Sequence, residues 1–380
     1  MARFVHAADL QLGKASHFLG PEARPRYAQA RLDSIDAIAR VVREQGADFV
    51  VVAGDVFDSN DVDRRQVVGR ALDALGAIGV PVFLLPGNHD HLGLRSVWHS
   101  VAAAAPSNVV VLDTTEPRLA IPGVEVVGAP WDTKRPLSDL AADALRDLSP
   151  NPDVRRVLVA HGVVDELFPV ADRIDQALVA LAGLEAAVAE RQVHYVALGD
   201  RHSVTSVGST GRVWYSGAPE PTAWDETQPG HVLVVDLGDE VRVTPHPVAT
   251  WKFDTCEVSL DSQADIDDLE ARLRALPSKD RIAMRVIAEG SLSVTERAWL
   301  VEVFEELAPV FGALELHDVE QLRTRPDHFD PQELGITGYA REAFDELLAA
   351  ATASPVDDEA VAALVLLDRL ARGRSVASAA

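Results

Sequence analysis

Cysteine is almost missing from this chain: Cys256 is the single one in 380 residues. One thiol closes no intrachain disulfide, and no Cys or His stands beside it at a zinc-type spacing. A disulfide scaffold and a zinc finger are therefore excluded, and Cys256 reads as a small apolar residue. Long apolar runs are missing too. No stretch approaches the roughly 18 residues that a membrane span requires, and the N-terminus lacks a basic segment followed by a short apolar block and a cleavage site. A cytoplasmic protein without a membrane partner is expected. Positive charge is scarce, with 35 Lys and Arg against 59 Asp and Glu and a formal net charge of -24. That balance excludes a protein that grips nucleic acid by bulk electrostatics, because affinity for a phosphate backbone comes largely from clustered Lys and Arg. Any such contact must be local, helped by bound cations, or shared with a partner. The small groups Arg24, Arg26 and Arg31, and Arg64 and Arg65, read as solvated helix ends.

What is present is an ordinary globular composition, 47% hydrophobic and 25% charged, on a length that suits two or three domains. The first 250 residues alternate short β-rich runs with amphipathic stretches, the pattern of a layered α/β domain. "RFVHAAD", "ADFVVVAGD", "PVFLLPGNHD", "EVVGAP", "RRVLVAHG", "VHYVALGD", "RVWYSGA" and "HVLVVDL" read as strands. Tyr27 to Gln45 reads as a helix with Ile35, Ile38, Val41 and Val42 on one face, and "VVGRALDALGAIG" as another. After Val248 the pattern becomes strand, helix (Ala264 to Leu276), strand, helix (Val294 to Phe311) and strand, a compact βαβαβ unit over 251–325. Residues 326–380 begin with a Pro- and charge-containing link, followed by helices at Tyr339 to Thr352 and Asp357 to Arg372. The second of these presents Val361, Leu364, Val365 and Leu367. That pair either packs on the unit before it or docks on a partner helix. The last residues, "RSVASAA", are expected to be disordered.

Several strands end abruptly in Asp, Asn, His or Gly. In open α/β sheets ligand sites form beyond the carboxyl ends of strands, so these loops should converge. Four segments supply the polar residues: Asp9 with Gln11, "GDVFD" with Asp55, "GNHD" with Asn88, His89 and Asp90, and "AHG" His161 with "GDRH" Asp200 and His202. A lone Asp or His at a strand end is more often a turn former, but the set together points to metal chemistry. Two divalent cations about 3.5 to 4 Å apart need a bridging carboxylate and flanking oxygen or imidazole ligands. The glycines before Asp55 and Asn88 let the backbone approach closely.

The order and spacing of "GDVFD" and "GNHD" resemble the calcineurin-like metallophosphoesterase superfamily. The resemblance implies a four-layer β-sandwich flanked by helices and two divalent ions. One would be held by Asp9, the residue at Gln11, Asp55 and His202. The second would be held by Asp55, Asn88, His161 and the residue at Asp200. His89 would protonate the leaving oxygen or stabilise phosphate charge, with Asp90 orienting it. The chain departs from the superfamily where Asp-x-His becomes Asp9-Leu10-Gln11 and Gly-His-x-His becomes Gly199-Asp200-Arg201-His202. Each ion thereby exchanges an imidazole for an oxygen donor, which favours manganese, with magnesium as the alternative.

Within the superfamily, "FVHAADLQLGK", "VVVAGDVFDSN", "VPVFLLPGNHD" and "VWYSGAPEPTAWDE" resemble the SbcD-type DNA repair exonuclease subunits, although Ala218 and Pro221 depart from that family's usual residues. This likeness implies a nuclease domain over 1–250, a capping domain over 251–325, and terminal helices that dock on an SbcC-like SMC-family ATPase. It further implies a homodimer acting on DNA in double-strand break repair and recombination, cytoplasmic and nucleoid-associated. Two alternatives stay open: a phosphoesterase acting on a non-DNA ester, and a non-catalytic subunit with a degenerate metal site that binds DNA or the ATPase.

Overall fold

A computed structural model describes residues 2–167, 178–317, 321–325, 338–353 and 357–371. Most of the expected link, at 326–337, and the tail at 372–380 lie outside the described residues. The chain groups into two compact units, Met1–His17 with Arg24–Lys252, and Phe18–Ala23 with Phe253–Ala380.

In the first unit the elements run β1 (Ala2–Ala7), α1 (Ala23–Gln45), β2 (Phe49–Val52), α2 (Gly69–Gly76), β3 (Val82–Leu84), α3 (Trp98–Ala104), β4 (Val109–Val111), β5 (Arg118–Ile121) and β6 (Val124–Gly128). They continue α4 (Leu140–Leu145), β7 (Arg155–His161), α5 (Leu181–Ala189), β8 (Tyr195–Gly199), β9 (Thr205–Val207), β10 (Val213–Tyr215), β11 (His231–Leu237) and β12 (Val241–Pro247). The strands form two six-stranded sheets, ordered β12-β11-β1-β2-β3-β4 and β5-β6-β7-β8-β10-β9.

The strand sequences dictate the layering. Phe49–Val52 and Tyr195–Gly199 are buried at every position, as strands covered on both faces must be. One face of the first sheet, with Phe4, Phe49 and Phe83, meets Val126, Val157, Val159, Tyr195 and Ala197 of the second in a shared core. Phe4 and Phe49 stack there with centroids 4.8 Å apart. The opposite face of the first sheet packs on Ile35, Ile38, Val41 and Val42 of α1 and on Ala71, Leu72 and Leu75 of α2. The outer face of the second sheet packs on α4 and α5 through Ala141, Ala144, Leu181 and Leu184. The result is the expected four-layer α/β/β/α sandwich. Strands β1, β2 and β3 are parallel neighbours, as are β7 and β8, with His161 paired to Gly199. Five carboxyl ends therefore open where the polar segments stand.

The second unit runs β13 (Lys252–Leu260), α6 (Gln263–Ala275), β14 (Ile282–Ser293), α7 (Val294–Leu307) and β15 (Ala313–His317), with β16 (Leu322–Arg325) added. The first half of β14 pairs in parallel with β15 and its second half with β16. Ser293 caps α7 in a capping box with Glu296. Phe18–Ala23 belongs with this unit, where Gly20 N donates to Gly312 O at 3.2 Å. Helices α8 (Tyr339–Thr352) and α9 (Asp358–Ala371) share a small core of Phe344, Ala351, Ala360 and Leu364 with Val294 at the start of α7. The pair thus packs on the start of α7 within this unit.

Candidate metal centre

The loops after β1 and β2 are laced together by backbone bonds: Asp9 N to Gly54 O (3.1 Å), Gln11 N to Asp55 O (2.9 Å) and Leu12 N to Val56 O (2.9 Å). This lacing forces an unusual backbone. Six non-glycine residues have positive φ among those described, and four of them are Asp9, Gln11, Asp55 and Asp200, at 56°, 43°, 50° and 94°. A left-handed L-residue costs roughly 1–2 kcal/mol. Such strain persists where surrounding structure over-determines it, typically at functional sites. Gln11 and Asp200, the two departures from the superfamily pattern, carry the same strain as the two residues that follow it.

Glycines make the approach possible. A Cβ on Gly54 would lie 2.1 Å from His161 Nδ1, and one on Gly87 would lie 2.3 Å from Asp55 Oδ1. A Cβ on Gly199 would lie 1.8 Å from the Ala53 carbonyl oxygen. Each of these residues directly precedes a candidate ligand, Asp55, Asn88 or Asp200.

The side chains converge. Asp9, Asp55 and His161 are buried and offer ligand atoms within 4.8 Å of one another. His161 Nδ1 lies 2.9 Å from the Ala53 carbonyl and so carries its hydrogen there, which points Nε2 inward, 3.5 Å from Asp55 and 3.7 Å from Asp200. The Trp131 indole donates to the His161 carbonyl at 2.8 Å and fixes that residue from behind. The Asp200 N–H donates to both oxygens of Asp9, at 3.2 and 3.1 Å. His202 turns Nε2 to within 4.0 Å of Asp9, while its Nδ1 faces Glu226 at 3.0 Å and Thr222 at 2.6 Å. Glu226 also accepts from Thr222 N at 2.9 Å. A carboxylate behind an imidazole fixes its tautomer and raises its basicity as a ligand. Sequence reasoning missed Glu226 and Thr222 as site residues, although both lie near the end of the stretch "VWYSGAPEPTAWDE".

Two placements differ from expectation in detail. Gln11 was expected to face the centre with its amide oxygen. That oxygen instead accepts from Lys14 Nζ at 2.8 Å, and the amide nitrogen lies 3.3 Å from His202 Nε2. Asp90 was expected to orient His89. It accepts instead from Gly87 N (2.7 Å) and Phe57 N (3.0 Å), so it ties the "GNHD" loop to the Asp55 loop. The His89 ring is held by Asp58 O at 2.9 Å from Nδ1, with Nε2 facing Asp55 at 3.9 Å. His91, set aside from the sequence, lies 3.3 Å from the Asn88 carbonyl and outside the cluster.

The electrostatics suit cations. Burial raises Asp9, Asp90 and Asp200 above the usual carboxylate range, with the imidazoles His202 and His161 offsetting part of this at Asp9. At His161 burial pulls the pKa down, but Asp55, Asp9 and Asp200 outweigh it and lift it to about 9. Without an ion, a proton on His161 thus holds the place of positive charge. Asn88 points Oδ1 at His161 Nε2 (2.9 Å), and that same position is 3.2 Å from both oxygens of Asp55. An acceptor among acceptors is resolved by a protonated His161, by reversal of the amide, or by a cation between them. The donor set of carboxylate, amide and imidazole therefore fits a hard divalent ion.

The calcineurin-like phosphoesterase profile matches residues 2–235, which contain every one of these side chains. The chain belongs to that family. Among curated relatives, it is 28% identical over 120 residues to the uncharacterized metallophosphoesterase YhaO of Bacillus subtilis, a match that spans 30% of this chain and only 28% of that protein. It is 24% identical over 278 residues to the SbcD chain of the nuclease SbcCD from the same organism, covering 66% of this chain and 68% of that one. It is 25% identical over 311 residues to the DNA double-strand break repair protein Mre11 of Halobacterium salinarum, covering 78% and 73%.

Proposed function

We propose that the chain is a metal-dependent DNA nuclease that hydrolyses phosphodiesters in double-strand break repair, working with an SbcC-like SMC-family ATPase. The observation that carries this reading is the cluster of Asp9, Asp55 and His161 within 4.8 Å, flanked by Asn88 and Asp200 at His161 and by His202 at Asp9, with the Nε2 nitrogen of His89 facing Asp55. The extended similarity to the SbcCD nuclease chain and to Mre11 supports DNA as the substrate.

In this reading Asp55, Asn88, His161 and Asp200 would hold one divalent ion, and Asp9, Asp55 and His202 would hold another with Gln11 beside it. Manganese is favoured and magnesium is the alternative. Bound ions supply charge neutralisation at the phosphate and lower the pKa of water. The remaining chemistry belongs to the chain. Ala53 O and Glu226 fix which nitrogen of His161 and His202 faces inward. His89, with its Nδ1 hydrogen committed to Asp58 O, turns Nε2 toward Asp55, and as the doubly protonated ring it would give the Nε2 proton to the leaving oxygen. Asp90 keeps the His89 loop in register with Asp55 through Gly87 and Phe57.

The net charge of -24 leaves this chain a weak independent grip on DNA. We therefore assign much of the grip to the ATPase, a docking role to residues 326–380, a capping role to 251–325, and a homodimer to the working form. The test is the chelator-stripped protein reloaded with manganese and given linear duplex DNA and bis-p-nitrophenyl phosphate in parallel, beside His89→Ala. Cutting of DNA that falls in the variant supports the nuclease. Turnover of the small ester alone makes it a phosphoesterase of another class.

A further inference from the structure

Lys14 stands beside the centre and has no part in the roles above. The chain takes nearly all its cations from arginine: its only lysines are Lys14, Lys134, Lys252 and Lys279. Lys14 Nζ donates to Gln11 Oε1 at 2.8 Å, its one hydrogen bond to a side chain among the described residues. An ammonium has three donors, so two are left for other ligands. Burial and the nearby Arg31 lower the Lys14 pKa, and Asp58, Glu226 and Asp55 offset only part of this. The Arg31 guanidinium, expected from the sequence at a solvated helix end, is instead fully buried and held by Leu10 O (2.9 Å) and the Tyr27 hydroxyl (2.7 Å), so it does not swing in to displace Lys14.

The consequence falls on Gln11. Its backbone is strained at φ 43° and laced to Asp55, so only the side chain is free to turn. With Oε1 on Lys14, the group turned toward His202 is an NH2, which repels a cation instead of binding one. On this side Asp9, Asp55 and His202 remain as donors. On the other side Asp55, Asn88, His161 and Asp200 remain complete, and Asp9, Asp55 and His161 already stand within 4.8 Å.

We propose that Lys14 is a positioning residue that makes the centre asymmetric: by holding the Gln11 oxygen it turns the amide nitrogen toward His202 and leaves the Asp9/His202 side weak for a divalent cation. The Asn88/His161 side then holds one ion firmly. This inference rests on the metal-centre reading and sharpens it.

The test is manganese binding to the full chain, by calorimetry and by the electron paramagnetic resonance of free Mn2+, at one pH near 8. The wild type is expected to take up one ion tightly and a second at least about tenfold more weakly. Lys14→Met frees the amide and should tighten the second ion several-fold, Lys14→Met with Gln11→His should bring the two affinities close together, and Lys14→Arg should keep the wild-type pattern. Circular dichroism checks the fold of each, and Gln11→His alone, which leaves Lys14 in place, should tighten the second ion less than the double variant. Two equally tight ions in the wild type, or a second affinity that changes in neither Lys14→Met nor Gln11→His, overturns the proposal. A protein that binds no manganese at all overturns the metal-centre reading itself, an outcome distinct from either.

Discussion

Metal binding at this centre should release a proton, and the size of the pH effect follows from His161. Its Nδ1 hydrogen is committed to the Ala53 carbonyl, so the second proton of the metal-free imidazolium sits on Nε2, the atom that would ligate. Burial lowers the pKa of this group, but Asp55, Asp9 and Asp200 outweigh burial and lift it to about 9. A cation must therefore displace that proton throughout the neutral range. One displaced proton makes the apparent affinity change about tenfold per pH unit below the pKa, or about 100-fold between pH 6 and pH 8. Titration of the stripped protein with manganese at pH 6, 7, 8 and 9 should give this slope, flattening near pH 9. Calorimetry at pH 7.5 in two buffers of different ionisation enthalpy should find about one proton released per tight ion. In His161→Gln the slope should vanish and the affinity should drop. A wild-type affinity that does not change between pH 6 and 8 would refute the reasoning, because Nε2 would then be unprotonated before the metal arrives.

The same groups set the stability of the metal-free protein. Asp9, Asp90, Asp200 and His161 all have raised folded-state pKa values. A raised value gives stability that is present below the unfolded-state pKa and is lost as pH rises through the folded one. Above about pH 7, where the buried His6 with its pKa lowered to about 3 is neutral whether folded or unfolded, the metal-free melting temperature should accordingly fall toward pH 9 in scanning calorimetry, and manganese should raise it more at pH 8.5 than at pH 7. In Gly199→Ala the new Cβ would meet the Ala53 carbonyl at 1.8 Å and His161 Nδ1 at 2.8 Å. That overpacking should cost about 1–3 kcal/mol, seen as a reduced urea midpoint, and should weaken manganese binding by displacing His161. Glu226→Gln removes the charge behind His202 and leaves an acceptor, so affinity for the second, weaker ion should fall about tenfold with little change in the first.

Much of the fold was legible because burial writes itself into strand sequences. "FVVV" and "YVALG" are apolar throughout, and both proved to be covered on both faces. Short elements were not legible. Strands β4 and β9 span Val109–Val111 and Thr205–Val207, too short for any periodicity to show. Strand β12 contains Pro245 and Pro247, which a sheet tolerates because β12 lies at its edge. The convergence of the polar segments was visible from their places after parallel strands. The atoms each presents were not. Asp90 and His89 are chain neighbours, yet Asp90 bonds Gly87 and Phe57 while the His89 ring bonds Asp58 O. Nothing local to Gln11 says that Lys14, three residues on, takes its oxygen. Glu226 merely ends the stretch whose likeness to a family segment lies at Tyr215 to Glu220, and its hydrogen bond to His202, 24 residues away, appears only once the chain is folded.

Hydrolysis of DNA at this centre is the claim on which the account turns. End-labelled linear duplex, incubated with stripped protein with and without restored manganese and beside Asp55→Asn, measures it most directly. The account predicts strand cutting that appears only with the metal and is lost in the variant, whose side chain can no longer give a carboxylate to both sides of the centre. Manganese bound to the wild type with the duplex left intact, or cutting that persists in Asp55→Asn, would contradict it.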